Sequence, residues 1–349
     1  MKIIHCADLH LDSSLKTYLD DNKAKIRNNE ILHSFERLTV YAKENDVDIV
    51  LIAGDLFDQE YVSKTTLELI FSFIEASSPV LYLYVPGNHD IKTKERLKDK
   101  PSNLFVFHDE WQTLNFDDVT ISSRIYSENL EENMPILTND KFNIVMLHGD
   151  IANSNDDQYI DLNKLKNKNI HYLALGHIHS YQKYKLDDSG IVAYSGCLDG
   201  RGFDECGAKG FILLDLEQKN ISFIPFSCRT IYKVEVDISD SNNNYEMIQA
   251  IHKEVLNITS ENIVEIILKG TRALGTYISL KYIEQVLQND FFFVKVKDET
   301  KLLISKEEYQ NDISLKGEFI RLVLNSDEIS DDKEQIIQYG IEALTGEIE

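Results

Sequence analysis

The sequence predicts an α/β chain: a two-layer β-sandwich flanked by helices, then a smaller α/β module and a helical C-terminal segment. Three observations carry this. Five apolar, β-branched runs lie in the first 180 residues, at 2–7, 47–53, 80–85, 142–147 and 171–175. A buried parallel strand looks like this, a short continuous apolar stretch closed by a turn. Segments of helical periodicity separate the first three runs, and past about residue 230 the pattern changes.

Taken in order, residues 25–44 place Ile26, Ile31, Leu32, Phe35, Leu38 and Val40 near helical spacing, and 65–76 repeat the pattern before the third run. Strand, helix, strand, helix, strand implies right-handed crossovers with helices on the sheet's faces. Shorter strand-like segments at 119–122, 190–194, 210–215 and 221–225 suggest a second sheet packed on the first. Strands at 231–238, 262–269 and 291–297 then alternate with helices at 245–256 and 279–287. Two further helices are predicted at 315–324 and 331–344, the second with Ser330 as its N-cap and acids in its first turn. The expected domains are 1–229, 230–300 and 301–349.

A chain of 349 residues with 43% apolar and 27% charged content is that of a soluble globular protein. No apolar stretch reaches the ~20 residues of a membrane helix. Asp8, His10 and Asp12 break the only N-terminal apolar run, so no signal peptide is expected and a cytoplasmic location is. Cys6, Cys197, Cys206 and Cys228 lack zinc-ribbon spacing and read as free thiols. The net charge of −23 argues against a protein that grips nucleic acid unaided.

Every one of the five runs ends in a polar cluster. These are Asp8-Leu9-His10; Gly54-Asp55-Leu56-Phe57-Asp58; Gly87-Asn88-His89-Asp90; His148-Gly149-Asp150; and Gly176-His177-Ile178-His179. In open α/β sheets ligands bind outside the carboxyl ends of strands, so these clusters converge. Asp8, His10, Asp55, Asn88, His148, His177 and His179 are the candidate ligands. They are more than one metal needs and suit two that share a carboxylate, about 3.5–4 Å apart, around a phosphoryl group. Imidazole, carboxylate and amide oxygen together suit manganese, with iron or zinc as alternatives. The absence of cysteine ligands argues against a closed structural zinc site. His89, beside Asn88, is the candidate general acid or phosphate holder, with Asp90 orienting it.

Other residues receive simpler readings. His5, His33, His108, His171 and His252 are read as structural, and Phe291, Phe292 and Phe293 as strand core. The basic residues Lys92, Lys94, Arg96, Lys98 and Lys100 are a candidate backbone contact, weighed against a solvated segment. Arg201 is a candidate contact to a substrate phosphate.

The five clusters, in this order, resemble the signature blocks of the calcineurin-like metallophosphoesterases: D-x-H, G-D-x-x-D, G-N-H-D, an isolated His, and G-H-x-H. The resemblance implies a metallophosphoesterase fold with a dinuclear site. Asp8, His10, Asp55 and His179 would hold one metal. Asp55, Asn88, His148 and His177 would hold the other, with Asp55 bridging and His89 catalytic. The opening Ile-Ile-His-Cys-Ala-Asp-Leu-His-Leu-Asp-Ser, the Gly-Asp-Leu-Phe-Asp block and the loop containing Gly202-Phe203-Asp204-Glu205 resemble the SbcD-like and YhaO-type nuclease branch. That branch implies a capping module that helps hold DNA, and an SbcC-type ATPase partner with coiled coils, docked through a segment like residues 317–323. It leaves room for a homodimer and has no membrane partner. One departure is Asp58, where some of these nucleases carry histidine. The expected function is a metal-dependent DNA exo/endonuclease acting in repair. The alternatives are a phosphoesterase for a small substrate, such as a nucleotide, and a non-catalytic scaffold.

Overall fold

In the computed structural model of the chain, the first three runs become β1 (Lys2–Cys6), β2 (Ile49–Ala53) and β3 (Leu81–Val85), paired in parallel. Helices α1 (Asp21–Glu44) and α2 (Lys64–Ala76) make the crossovers. α1 starts four residues earlier than its apolar spacing suggests, because the Asp20 side chain caps it by accepting from the Asn22 and Lys23 N–H groups. β4 (Leu104–Val106) adds one edge; antiparallel β11 (Gly210–Asp215) and β12 (Asn220–Pro225) complete the order β12-β11-β1-β2-β3-β4. The structure describes residues 1–13, 15, 19–58, 62–90, 97, 99–273, 276–303, 309, 311–326 and 333–345.

The fourth and fifth runs enter a different sheet. β5 (Gln112–Asn115), β6 (Val119–Ser123), β7 (Phe142–His148), β8 (Tyr172–Gly176), β9 (Gln182–Lys185) and β10 (Ile191–Tyr194) assemble in the order β5-β6-β7-β8-β10-β9. Alternate residues explain the packing. Ile49, Leu51 and Ala53 of β2 share one buried cluster with Ile144 and Met146 of β7 and Tyr172 and Ala174 of β8. The opposite alternates Val145, Leu147, Leu173 and Leu175 pack with Leu130, Leu137, Ile160 and Leu165. Both faces are therefore dry, which is why these strands read as unbroken apolar runs. Truncating a side chain such as Leu51 to alanine costs about 2–5 kcal/mol at sites like this.

The chain divides into two compact units, Met1–Thr230 and Ile231–Glu349. In the second, β13 (Ile231–Asp237), β14 (Ile263–Lys269) and β16 (Phe293–Asp298) form a parallel sheet. Helices α3 (Asn244–Glu254) and α4 (Leu280–Leu287) connect these strands, and Met247, Ile251, Ile283 and Leu287 pack with Val264, Ile266 and Leu268. β15 (Thr271–Ala273) pairs with β17 (Lys301–Leu303), a contact that spans residue 300. α5 (Leu315–Asn325) and α6 (Lys333–Thr345) meet through Ile320, Ile337 and Ile341. Ser330 lies outside the described residues. Among those described, no helix is long and apolar enough to cross a membrane.

Candidate metal centre

The strand-end clusters of both sheets meet at one place. The backbone there is unusual: Asp8, His10, Asp55 and His177 all adopt positive φ, at 52°, 45°, 48° and 102°. Non-glycine residues in that region are strained, and such strain gathers at functional sites. Gly176 lets the sheets approach this closely. A Cβ there would lie 1.8 Å from the Ala53 carbonyl and 2.8 Å from His148 Nδ1. Gly54, at φ +92°, would place a Cβ 2.0 Å from the same ring nitrogen.

Two groups of donors share Asp8. Asp8, His10 and His179 bring ligand atoms together, and so do Asp8, Asp55 and His148. His10 Nε2 and His179 Nε2 are 3.1 Å apart. His148 Nε2 lies 3.3 Å from Asp55 Oδ2 and 3.1 Å from Asn88 Oδ1. His148 Nδ1 donates to the Ala53 carbonyl at 2.9 Å, which turns Nε2 toward Asp55 and Asn88 as the ring nitrogen available to a metal. Six of the seven expected ligands are thus gathered. The seventh, His177, stands with its ring edge-on to His148 at 5.3 Å between centroids, and its Nε2 is 3.3 Å from Asp156 Oδ2. A ring nitrogen of His177 also groups with Asp150 and Asp156.

These donors fit divalent cations. Asp8 and Asp55 are buried carboxylates, and Asp8 Oδ2 has no hydrogen-bond partner among the described residues, a costly state that a cation would relieve. The local field also calls for positive charge. Burial alone would lower the His148 pKa, yet Asp55 and Asp8 push it up to about 9. Burial would likewise raise Asp55, but His148 and His10 hold it below the usual carboxylate range. For His10 burial wins, and its pKa is lowered.

His89 sits at the mouth, 43% exposed, with its ring edge-on to His10 at 5.0 Å. Its backbone N–H donates to Asp55 Oδ1 at 3.0 Å, so the loop is tied to the centre while the imidazole faces outward. Asp90 is fully buried and does not touch that imidazole among the described contacts. Its carboxylate accepts from the N–H groups of Leu56, Phe57 and Gly87 at 3.0, 2.9 and 3.2 Å. It therefore positions the two loops that carry Asp55 and Asn88. Burial and neighbouring Asp55 push its pKa up to about 6.

Arg201 is also drawn in, engaged by carboxylates. Its guanidinium donates to Asp58 at 3.0 Å and to Glu205 at 2.9 Å. Glu205, Asp58 and Asp156 are site residues that the strand-end reading did not assign a role. An acid following Arg201 in a glycine-rich loop was the only local signal for Glu205. Lys92, Lys94, Arg96 and Lys98 lie outside the described residues, while Lys100 donates to the Leu104 carbonyl at 2.7 Å. His5 is a core residue, fully buried with Nδ1 2.8 Å from the Tyr172 hydroxyl. None of the four cysteines forms a disulfide.

Residues 1–193 match the calcineurin-like phosphoesterase family. The chain is 24% identical to the D component of the nuclease SbcCD of Staphylococcus epidermidis over 368 residues, 89% of this chain and 93% of that one. It is 27% identical to the metallophosphoesterase YhaO of Bacillus subtilis over 78% of this chain and 72% of the relative. It is 24% identical to the DNA double-strand break repair protein Mre11 of Saccharolobus solfataricus, over 97% of this chain and 93% of the relative.

Proposed function

The chain belongs to the calcineurin-like phosphoesterases, hydrolases of phosphoester bonds that use a dinuclear divalent metal site, and from that premise we propose that it is the nuclease component of a DNA-repair assembly, with exo/endonuclease activity. One observation carries the choice of substrate. Relatives named as part of a nuclease and as a break-repair protein align along 89% and 97% of this chain, well past the family match at residue 193.

Asp8, His10, Asp55, Asn88, His148, His177 and His179 would hold the two ions, with manganese the best match to their mixed donors. Bound there, such ions supply an activated water and neutralise the phosphate's charge. The chain's own residues do the rest. The loops close the strand ends, so the two carboxylates face one point in dry surroundings. His89, anchored through its backbone but open to solvent at its ring, protonates the departing oxygen. Residues 1–229 act as the nuclease domain, 230–300 as the DNA-holding cap, and 301–349 as the docking segment for an SbcC-type ATPase in the cytoplasm. The net charge of −23 gives this partner a physical purpose, because duplex affinity comes mainly from Lys and Arg contacts to phosphates. The same charge favours a second reading, a small phosphodiester or nucleotide as substrate.

The test incubates the purified chain, with and without its ATPase, with labelled single- and double-stranded DNA and manganese, using His89→Ala as control. Cleavage by the wild type and loss in the variant is expected. Hydrolysis of bis-p-nitrophenyl phosphate with no DNA cleavage in either condition refutes the nuclease reading and leaves the small-substrate one.

A further inference from the structure

We infer that Asp58, Arg201 and Glu205 form a yoke holding His10 and His179 in metal-binding register, so that Arg201 is a positioning residue and not a phosphate ligand. The inference rests on the dinuclear reading above and assigns an outer layer to one of its two sites.

The contacts close into a ring. His10 Nε2 and His179 Nε2 face each other at 3.1 Å. Two imidazoles can aim lone pairs at one point only when each keeps its proton on the far nitrogen, Nδ1. On that far side His179 Nδ1 hydrogen-bonds Glu205 Oε1 at 2.6 Å, and the Asp58 carboxylate stands beside His10 Nδ1 at an ion-pair distance of 3.0 Å, outside hydrogen-bond geometry. A carboxylate behind a ligating histidine fixes its tautomer and ring angle. Arg201 ties the two carboxylates together, one terminal nitrogen on Asp58 at 3.0 Å and the other on Glu205 at 2.9 Å. Its backbone N–H also donates to Glu205 Oε2 at 2.6 Å.

The residue types suit the task. A guanidinium is a planar fork whose two terminal nitrogens reach two separated acceptors in fixed directions; an ammonium carries all its donors on one atom and does not fix those directions. Glu205 is 4% exposed, so it meets the ring and the guanidinium in a dry environment where such bonds are strong. Lys209, equally buried, donates from Nζ to the His179 carbonyl at 2.7 Å and fixes the backbone from behind. Asp58 also lies 3.9 Å from His89 Nδ1, so the yoke reaches the candidate acid. A neutral histidine in place of Asp58 would put no negative charge between the His10 ring and the Arg201 guanidinium. The aspartate here matches its partner Arg201.

Manganese(II) itself is the probe. The metal-stripped full-length chain is titrated and followed by electron paramagnetic resonance, with bound metal counted after gel filtration. The wild type should take up two ions and give an exchange-coupled spectrum. Glu205→Ala and Arg201→Met should weaken one of the two by about 10–100-fold. The spectrum at two equivalents then becomes that of a single ion, and the retained ion shows that the variant is folded. Glu205→Gln, close in shape, carries the test if Glu205→Ala does not fold. Arg201→Lys should restore affinity only in part. On a small phosphodiester at saturating manganese, Arg201→Met should keep the wild-type KM. Unchanged affinity at both sites, or a raised KM with unchanged metal binding, overturns the yoke. Uptake of fewer than two ions by the wild type overturns the dinuclear reading beneath it.

Discussion

Replacing Asp90 by alanine tests how the strand-end loops are held. Its carboxylate accepts three buried N–H groups, from Leu56, Phe57 and Gly87. Each buried donor left without a partner costs about 1–3 kcal/mol. Three such losses bound the effect at about 3–9 kcal/mol. Relief of repulsion with Asp55 and water entering the vacated space offset part of this, leaving about 3–5 kcal/mol. For a unit of this size that lowers Tm by about 6–20 °C, at about 2–4 °C per kcal/mol. Asp90→Asn should fall between. An amide oxygen placed at the Oδ2 position keeps the Leu56 and Gly87 bonds, but its NH2 then faces the Phe57 N–H. The assay is calorimetry of the metal-free protein, so that lost metal affinity does not enter the measured midpoint. Asp90→Ala unfolding within ~1 kcal/mol of the wild type, about 0.2–0.3 of the expected loss, would refute the reasoning, since three charge-assisted bonds cannot vanish that cheaply from a dry site.

Other outcomes follow from the same geometry. Gly176→Ala puts a methyl 1.8 Å from the Ala53 carbonyl and should destabilise by about 3 kcal/mol or more, with loss of manganese uptake; a fully folded variant that binds two ions contradicts the close approach described. Manganese at about 100 times its Kd should add about 2.7 kcal/mol of stability, and a Tm unmoved by manganese or by chelator counts against the centre. Asp156→Asn should weaken manganese binding through His177, whose Nε2 it meets at 3.3 Å, without moving the metal-free Tm; equal affinity in titration rejects that role. Burial would raise the Glu30 carboxyl, but Arg229 and Arg27 hold it below its ordinary value. A depressed folded pKa gives stability above the unfolded value near ~4.3 that is lost as pH falls through the folded one. The Tm gap between wild type and Glu30→Gln should therefore be widest near neutrality and close below about pH 4; a gap that widens in acid has the wrong sign.

Much was legible in the chain itself. A strand buried on both faces must be apolar at nearly every position, and a ligand must sit where such a strand stops. Those two constraints are local, so β1, β2, β3, β7 and β8 and the residues after them could be named from order alone. Some edge strands escaped for the opposite reason. β9 is Gln182-Lys183-Tyr184-Lys185, largely exposed at the rim of its sheet, where pairing needs no apolar side chain. The start of α1 escaped because its first turn is polar and held by a cap.

The sequence by itself determined which side chains are available at five strand ends, and hence the class of chemistry. Only the tertiary structure decided that those ends come from two sheets and not one, since an apolar run looks the same in either. It alone joined His179 to Glu205 and Asp58 to Arg201 across 26 and 143 positions. Such pairs leave no periodic trace, because they are made by loops meeting through space, and their geometry is set by where the two sheets place the loops.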